Sequence, residues 1–198
     1  MGSQWRRDGY YSRAVKEGYR SRAAFKLKDI QNRFSVIRDD DNIVDLGAAP
    51  GSWMQVEREL TSGVVLGVDL NPIVPIENTI TIVGDFTTEQ VQEEIIALVN
   101  EVNVVLCDAS PKLSGQRSYD QARAFALAES ALLFACRVLT PGGNFVVKFF
   151  QGELFRDLLA STKDHFRSVR VYRAKASRKG SAEVYIIAQN FRRGKNGS

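Results

Sequence analysis

Two cysteines, one histidine and five prolines are all that this 198-residue chain holds of those types, and each scarcity excludes a class of protein. Cys107 and Cys136 sit within apolar runs at no paired spacing. They therefore read as reduced core residues of an intracellular protein, not as a disulfide scaffold. His165 stands alone, and no zinc-site spacing joins it to the cysteines, so no metal site is expected. No apolar run approaches the ~20 residues of a membrane span, and no charged leader with an apolar stretch is apparent. The expected location is the cytoplasm, without a membrane partner. Glycine is also short where phosphate-binding loops need it. "DLGAAPGSWMQ", residues 45–55, carries Gly47 and Gly51 but neither the lysine of a Walker loop nor the third glycine of a dinucleotide fingerprint. A pyrophosphate cradle is not expected there.

Charge is present in quantity, with a net of +4, and is unevenly placed. Residues 1–35 carry nine Lys/Arg against three acids, and residues 170–198 eight against one, so the segment between them is net acidic. The basic ends are interleaved with aromatics, as in "WRRDGYYSRAVKEGYRSRAAFK" and "RVYRAKASRKG". That mixture suits phosphate neutralisation combined with base stacking, and points to nucleic acid.

From residue 42 onward, short runs rich in Val, Ile, Leu and Phe alternate with helical segments. Strands are predicted at 42–47, 64–70, 80–86, 103–109 and 144–150, all nearly continuous in apolar character, as in a parallel sheet buried on both faces. Helices are predicted at 52–60, 88–99, 119–139 (stopped by "TPGG") and 152–165, with an amphipathic helix at 21–34 before the first strand. Two last runs, 168–174 and 183–191, have no helix between them and are expected to pair antiparallel at one edge. The fold class is therefore α/β: a doubly wound, mostly parallel sheet with helices on both faces, in a single domain with a basic extension at 1–35, a core at 36–191 and a frayed tail at 192–198.

Ligands of such sheets bind beyond the carboxyl ends of the strands. Asp45 and Gly47 close the first strand, Asp69 the second, Asp85 the third and Asp108 the fourth, while Lys148 interrupts the fifth. One such Asp alone is an ordinary turn former; four in succession beside a glycine turn suggest a ligand rich in hydroxyl and amine donors. Asp69 stands about twenty residues past the turn, where a carboxylate reaches ribose hydroxyls, and Asp85 is placed to accept from an adenine amine. A nucleoside with a short cationic tail, such as S-adenosylmethionine, fits an acidic centre.

The segments "YRSRAAFKL", "DLGAAPGSW", "GVDL", "GDF", "CDASP", "VVKFFQGE" and "SAEVY", in this order from about residue 10 to residue 191, resemble the FtsJ/RrmJ family of ribose 2′-O-methyltransferases. The resemblance implies a Rossmann-like methyltransferase fold, S-adenosylmethionine as cofactor and structured RNA as substrate. It also implies cofactor contacts from Gly47, Ala48, Pro50, Gly51, Trp53, Asp69, Asp85 and Asp108, and a catalytic set of Lys26, Asp108, Lys148 and Glu183. Ser52 replaces a second glycine of many members and is expected to cap the following helix. On periodicity alone Lys26 would be a solvated helix lysine and Trp53 a core aromatic. Phe149 and Phe150 read as packing.

The implied chemistry needs an activated ribose hydroxyl and no metal. Lys148 is the candidate base. A lysine base at neutral pH requires about 4.6 kcal/mol of differential stabilisation of its neutral form, and Lys26 would favour that form while Asp108 and Glu183 oppose it. Ribosomal RNA, specifically a large-subunit uridine within a ribosomal particle, is the expected substrate, with the protein acting as a monomer. Transfer RNA modified in the anticodon loop is the nearest alternative, ahead of messenger RNA caps. A non-catalytic RNA-binding assembly factor would be expected to have a broken catalytic set, and a nicotinamide oxidoreductase would need the missing glycine.

Overall fold

The structure, a computed structural model, describes residues 9–112, 114–178 and 180–193. The first eight residues of the basic extension, Lys179, and residues 194–198 of the expected tail lie outside them.

Seven strands form one sheet: β1 (Ile43–Leu46), β2 (Val65–Asp69), β3 (Ile80–Val83), β4 (Val102–Cys107), β5 (Leu139–Phe150), β6 (Phe166–Tyr172) and β7 (Glu183–Phe191). Their order across the sheet is β3-β2-β1-β4-β5-β7-β6. The first five are parallel, and β7 runs antiparallel to both β5 and β6. The α/β doubly wound class is thus observed. The last two strands pair antiparallel at one edge of the sheet, as expected, with β7 inside and β6 outermost. Their sequences explain this, because "EVYIIAQNF" is buried over five consecutive positions and needs cover on both sides. In "FRSVRVY" Arg167 and Arg170 are exposed and only Phe166 is buried, and a charged strand tolerates an edge.

Helices α1 (Gly9–Glu17), α2 (Ala24–Phe34) and α3 (Ser52–Leu60) contribute to the apolar layer on one face of the sheet, and α4 (Glu89–Leu98), α5 (Arg117–Val138) and α6 (Phe155–His165) to that on the other. The strands' two-residue period divides the core accordingly. Val44, Leu46, Val105 and Val147 pack in the layer with α4, α5 and α6, while Ile43, Val104, Leu106 and Val146 pack in the layer with α2 and α3.

Several boundaries differ from expectation. Helix α1 was not anticipated, since it buries only Ala14 and so leaves little periodic signal. Helix α2 starts at Ala24, and the preceding residues form turns that dock on α3. Strand β5 extends back through "TPGG", with Gly142 at φ +86° and a shift of register against β4 between Val102 and Val104. Strands β3 and β4 stop at Val83 and Cys107, which frees Asp85 and Asp108 into the loops where a ligand would be met.

Candidate active site

The glycine turn occupies the carboxyl end of β1, the strand flanked by β2 and β4. Gly47 and Gly51 adopt φ +77° and +97°, conformations that disfavour any residue with a Cβ. A Cβ on Gly47 would lie 2.5 Å from that of Ala109, directly after Asp108, so the turn and the β4 loop close on each other. Asp69 holds the turn from the other side: its carboxylate accepts from the Ala49 N–H (3.1 Å) and from the backbone and side-chain N–H of Asn71 (2.8 and 3.1 Å). Asp85 is exposed, and one of its oxygens accepts from the Thr87 N–H (2.9 Å) and hydroxyl (2.7 Å). Each carboxylate retains lone pairs for a ligand.

Residues 18–23 secure the turn and α3 from behind. The Arg20 guanidinium donates to the carbonyls of Pro50 (2.8 Å) and Pro75 (3.0 Å), and the Arg20 backbone N–H donates to the side-chain oxygen of Gln55 (2.9 Å). Gln55 in turn donates to the Gly18 carbonyl (3.0 Å). Ser52 is not the helix cap. Gly51 occupies that position, and the Ser52 hydroxyl pairs with that of Ser21 at 2.8 Å. Trp53 is only 3% exposed, and its indole N–H donates to the Ala23 carbonyl at 2.8 Å. It acts here as a core aromatic that ties α3 to the start of α2.

Lys26, Asp108, Lys148 and Glu183, remote in sequence, form two adjoining ion pairs. The Lys26 ammonium lies 2.8 and 2.9 Å from the two Glu183 oxygens. The Lys148 ammonium lies 3.2 Å from an Asp108 oxygen and also donates to the Asp108 backbone carbonyl. Tyr185 joins the pairs: its hydroxyl donates to Asp108 at 2.8 Å, and its ring centroid is 5.7 Å from the Lys26 nitrogen. The sheet register creates this arrangement, since Lys148 stands opposite Tyr185 and Phe150 opposite Glu183. Residues two apart on a strand share a face, which puts Lys148, Tyr185 and Glu183 together. Helix α2 adds Lys26, whose apolar neighbours Phe25 and Leu27 are buried in the same layer.

Burial alone would raise the Glu183 carboxyl, but the hydrogen bond and charge of Lys26, the Ser177 hydroxyl (2.8 Å) and the charge of Lys148 hold it below the usual carboxylate range. Tyr185 is pushed well above the ordinary phenol value by burial and by the charges of Asp108 and Glu183, so it remains a protonated donor. Burial likewise pushes the Cys107 thiol up to about 12 and that of Cys136 up to about 11, and neither is a nucleophile.

Asp45 departs from expectation. It is 1% exposed and faces α3, where Glu57 is fully buried, so it belongs beneath the turn and not among the ligand-facing acids. Tyr185, Ser177 and Arg20 were not anticipated as site residues. Tyr185 and Arg20 had a visible signal, the one two residues after Glu183 in "SAEVY" and the other in "YRSRAAFKL"; Ser177 had none. Among the described residues no group of three or more His, Cys, Asp and Glu side chains is gathered to hold a metal ion, and no helix is long and apolar enough to cross a membrane.

A glycine turn under positive φ, with carboxylates after successive strands and a buried Lys–Asp pair at their edge, narrows the families that can be compared. Residues 19–191 match the FtsJ-like methyltransferase family. The chain belongs to that family. It is therefore a methyltransferase, and the matched span includes every site side chain described above. The chain is 66% identical over 193 residues to the ribosomal RNA large subunit methyltransferase E of Methanoculleus marisnigri, covering 97% of this chain and 95% of the relative. It is 53% identical over 188 residues to the protein of the same name from Methanosarcina acetivorans, covering 94% and 69%. A crystal structure described as a ribosomal RNA methyltransferase from Plasmodium falciparum superposes with a TM-score of 0.78 at 26% identity, covering 87% of this chain and 98% of that one.

Proposed function

We propose that this protein is an S-adenosylmethionine-dependent 2′-O-ribose methyltransferase acting on large-subunit ribosomal RNA, at a uridine presented within a ribosomal particle. The observation that carries the reading is the joining of the Lys26–Glu183 and Lys148–Asp108 pairs through Tyr185 beside the glycine turn. The close approach of Gly47 to Ala109 and the carboxylates of Asp69 and Asp85 fit a nucleoside with a cationic tail. Gly47, Ala48, Pro50 and Gly51 would line its path, Asp69 would meet its ribose, Asp85 its adenine and Asp108 its charged end, with Trp53 supporting the turn from the core. When bound, S-adenosylmethionine supplies a methyl group already activated by a positively charged sulfur.

The remaining task is alignment and the handling of one proton. Lys148 in its neutral form takes the proton of the 2′-hydroxyl, and as an ammonium it orients the hydroxyl oxygen; Asp108 fixes the Lys148 nitrogen. Tyr185 can only donate to Asp108 while protonated, so it keeps that carboxylate turned toward Lys148. Glu183, held ionised by Lys26, accepts a hydrogen bond from the acceptor ribose, and Lys26 adds a positive charge beside the RNA backbone.

Lys148→Ala is expected to lower methyl transfer by about 10²–10⁴-fold, the range for loss of a general base, while calorimetric affinity for S-adenosylmethionine stays within a few-fold of wild type. Near-normal transfer would remove Lys148 from the mechanism. Mapping 2′-O-methyl marks on the RNA of large ribosomal subunits incubated with the wild-type protein and S-adenosylmethionine tests the substrate; a mark at a base atom, or none, would overturn the reading.

A further inference from the structure

A cleft of about 210 Å³ opens between Pro111 after β4, Gln121 and Ala124 of α5, and Phe149, Phe150 and Leu154 of the β5–α6 segment. A smaller void beneath it shares Pro111, Ala124, Phe149 and Phe150 and is lined by Lys148 itself. The cleft therefore neighbours the proposed reaction centre through these shared walls, and no residue of the glycine turn lines it. Its position follows from strand order. Asp69 and Asp85, after β2 and β3, lie on one side of β1, whereas the Pro111 loop and the end of β5 lie on the other. Whatever the two carboxylates hold is therefore on the opposite flank of Lys148.

Size and lining narrow the occupant. Cofactor-sized sites enclose ~300–1,000 Å³, so this cleft suits a single planar heterocycle. Its walls are largely apolar. Phe149 is 3% exposed and stacks on Phe155 at 6.3 Å between centroids, while Phe150 is half-buried. One polar reader is available. The Gln121 amide makes no hydrogen bond among the described residues, and it is pressed so closely on Gly152 that a Cβ there would lie 2.4 Å from its nitrogen. Asp120, by contrast, is already engaged by the Ser114 hydroxyl and the Ser114 and Gly115 N–H groups. A planar apolar slot with one free carboxamide is the chemistry that receives an unstacked nucleobase.

We infer that this cleft takes the base of the nucleotide whose ribose is methylated, with Phe150 as stacking surface and the Gln121 amide on the base edge. This rests on the acceptor being RNA, as proposed above. Holding the base fixes the ribose over Lys148, so the site selects its nucleotide through contacts on the flank away from the cofactor.

The test pairs the full-length protein with two probes: a ribosomal RNA fragment carrying the mapped acceptor nucleotide, and the same fragment with an abasic ribose there. RNA affinity and kcat/KM are read for wild type, Ala124→Phe, which fills the cleft, and Gln121→Ala, which removes the amide. S-adenosylmethionine affinity and thermal unfolding show whether each variant is folded. Wild type should prefer intact over abasic RNA by about 10- to 100-fold, the range for burying and stacking one base. Ala124→Phe should lose that preference without further weakening on the abasic fragment, and Gln121→Ala should lose part of it. Additive effects in the variants, or a wild-type protein that binds both fragments equally, overturn the cleft assignment. A methyl mark away from ribose would sink the proposed function instead, while the comparison of affinities would still decide the cleft; if Ala124→Phe does not fold, Gln121→Ala carries the same comparison.

Discussion

No donor among the described residues reaches any of the four carboxylate oxygens of Asp45 and Glu57, sealed between β1 and α3. The group each can bond is the other, and that bond requires a shared proton; burial pushes both carboxyls well above the ordinary range, helped at Asp45 by the charge of Asp108 and at Glu57 by the charge of Asp45. An acid that holds its proton more tightly when folded costs stability as pH rises from its unfolded value, near 4, toward its folded one. Glu57→Gln removes one titrating group and offers Asp45 an N–H donor. We expect the variant to melt above wild type at pH 8, by about 2–4 °C for each kcal/mol recovered, with the gap closing toward pH 5; thermal scans at the two pH values check this, and a variant less stable at pH 8 would refute it. Glu183 has the opposite sign. Its lowered carboxyl contributes stability above its unfolded pKa that is lost as pH falls through the folded one. Residue-scale legibility divides the same way. Lys148 stood out because an ammonium interrupts an apolar strand, and the family segments brought out Lys26 and Glu183. Glu57, set in "VEREL" among charged neighbours, looks like solvated helix surface, and nothing local reveals that its face of α3 meets a carboxylate.

At the scale of elements, the first turn of α3 serves two masters: it ends the glycine turn and it anchors the segment leading into α2. Arg20 is the hinge pin of this arrangement, bridging Pro50 in the turn and Pro75 after β2. Arg20→Ala should weaken S-adenosylmethionine binding by roughly tenfold, about 1.4 kcal/mol, with transfer at saturating cofactor much less affected; isothermal calorimetry and a kcat-against-KM split would show this, and unchanged affinity would assign Arg20 to packing alone. The alternation of strands and helices was readable because parallel strands buried on both faces are continuously apolar. Element ends were less readable. The extension of β5 through "TPGG" and the placement of β7 inside β6 depend on pairing partners that lie far along the chain, information that no local window contains.

Across the whole molecule, the two basic segments of the sequence meet on one surface. Asp29 of α2 accepts from the Tyr172 hydroxyl (2.9 Å) and the Lys175 N–H (2.8 Å), and Phe34 packs edge-on to Tyr172. Ser177, in the same β6–β7 connection, reaches Glu183. Arg33 of α2 lies 5.3 Å from the centre of the Tyr172 ring and the Lys175 ammonium 3.9 Å from Asp29, so cations of both segments share this surface, which suits the phosphate contacts of the proposed RNA substrate. Arg173 and Lys175 are exposed there. The double variant Arg173→Ala/Lys175→Ala should reduce the slope of log affinity for RNA against log salt by about 0.7–0.9 for each phosphate no longer neutralised, leaving S-adenosylmethionine affinity unchanged; an unaltered slope would place the RNA elsewhere. Charge counts foretold the cations but not their convergence. That convergence has a kinetic side. Strand β6 is synthesised before β7 yet can join the sheet only through it, so the open margin stays unzippered until the strand bearing Glu183 and Tyr185 arrives. Docking β7 on β5 both closes the sheet and brings Glu183 and Tyr185 beside Lys26, Lys148 and Asp108, the residues proposed to carry the reaction.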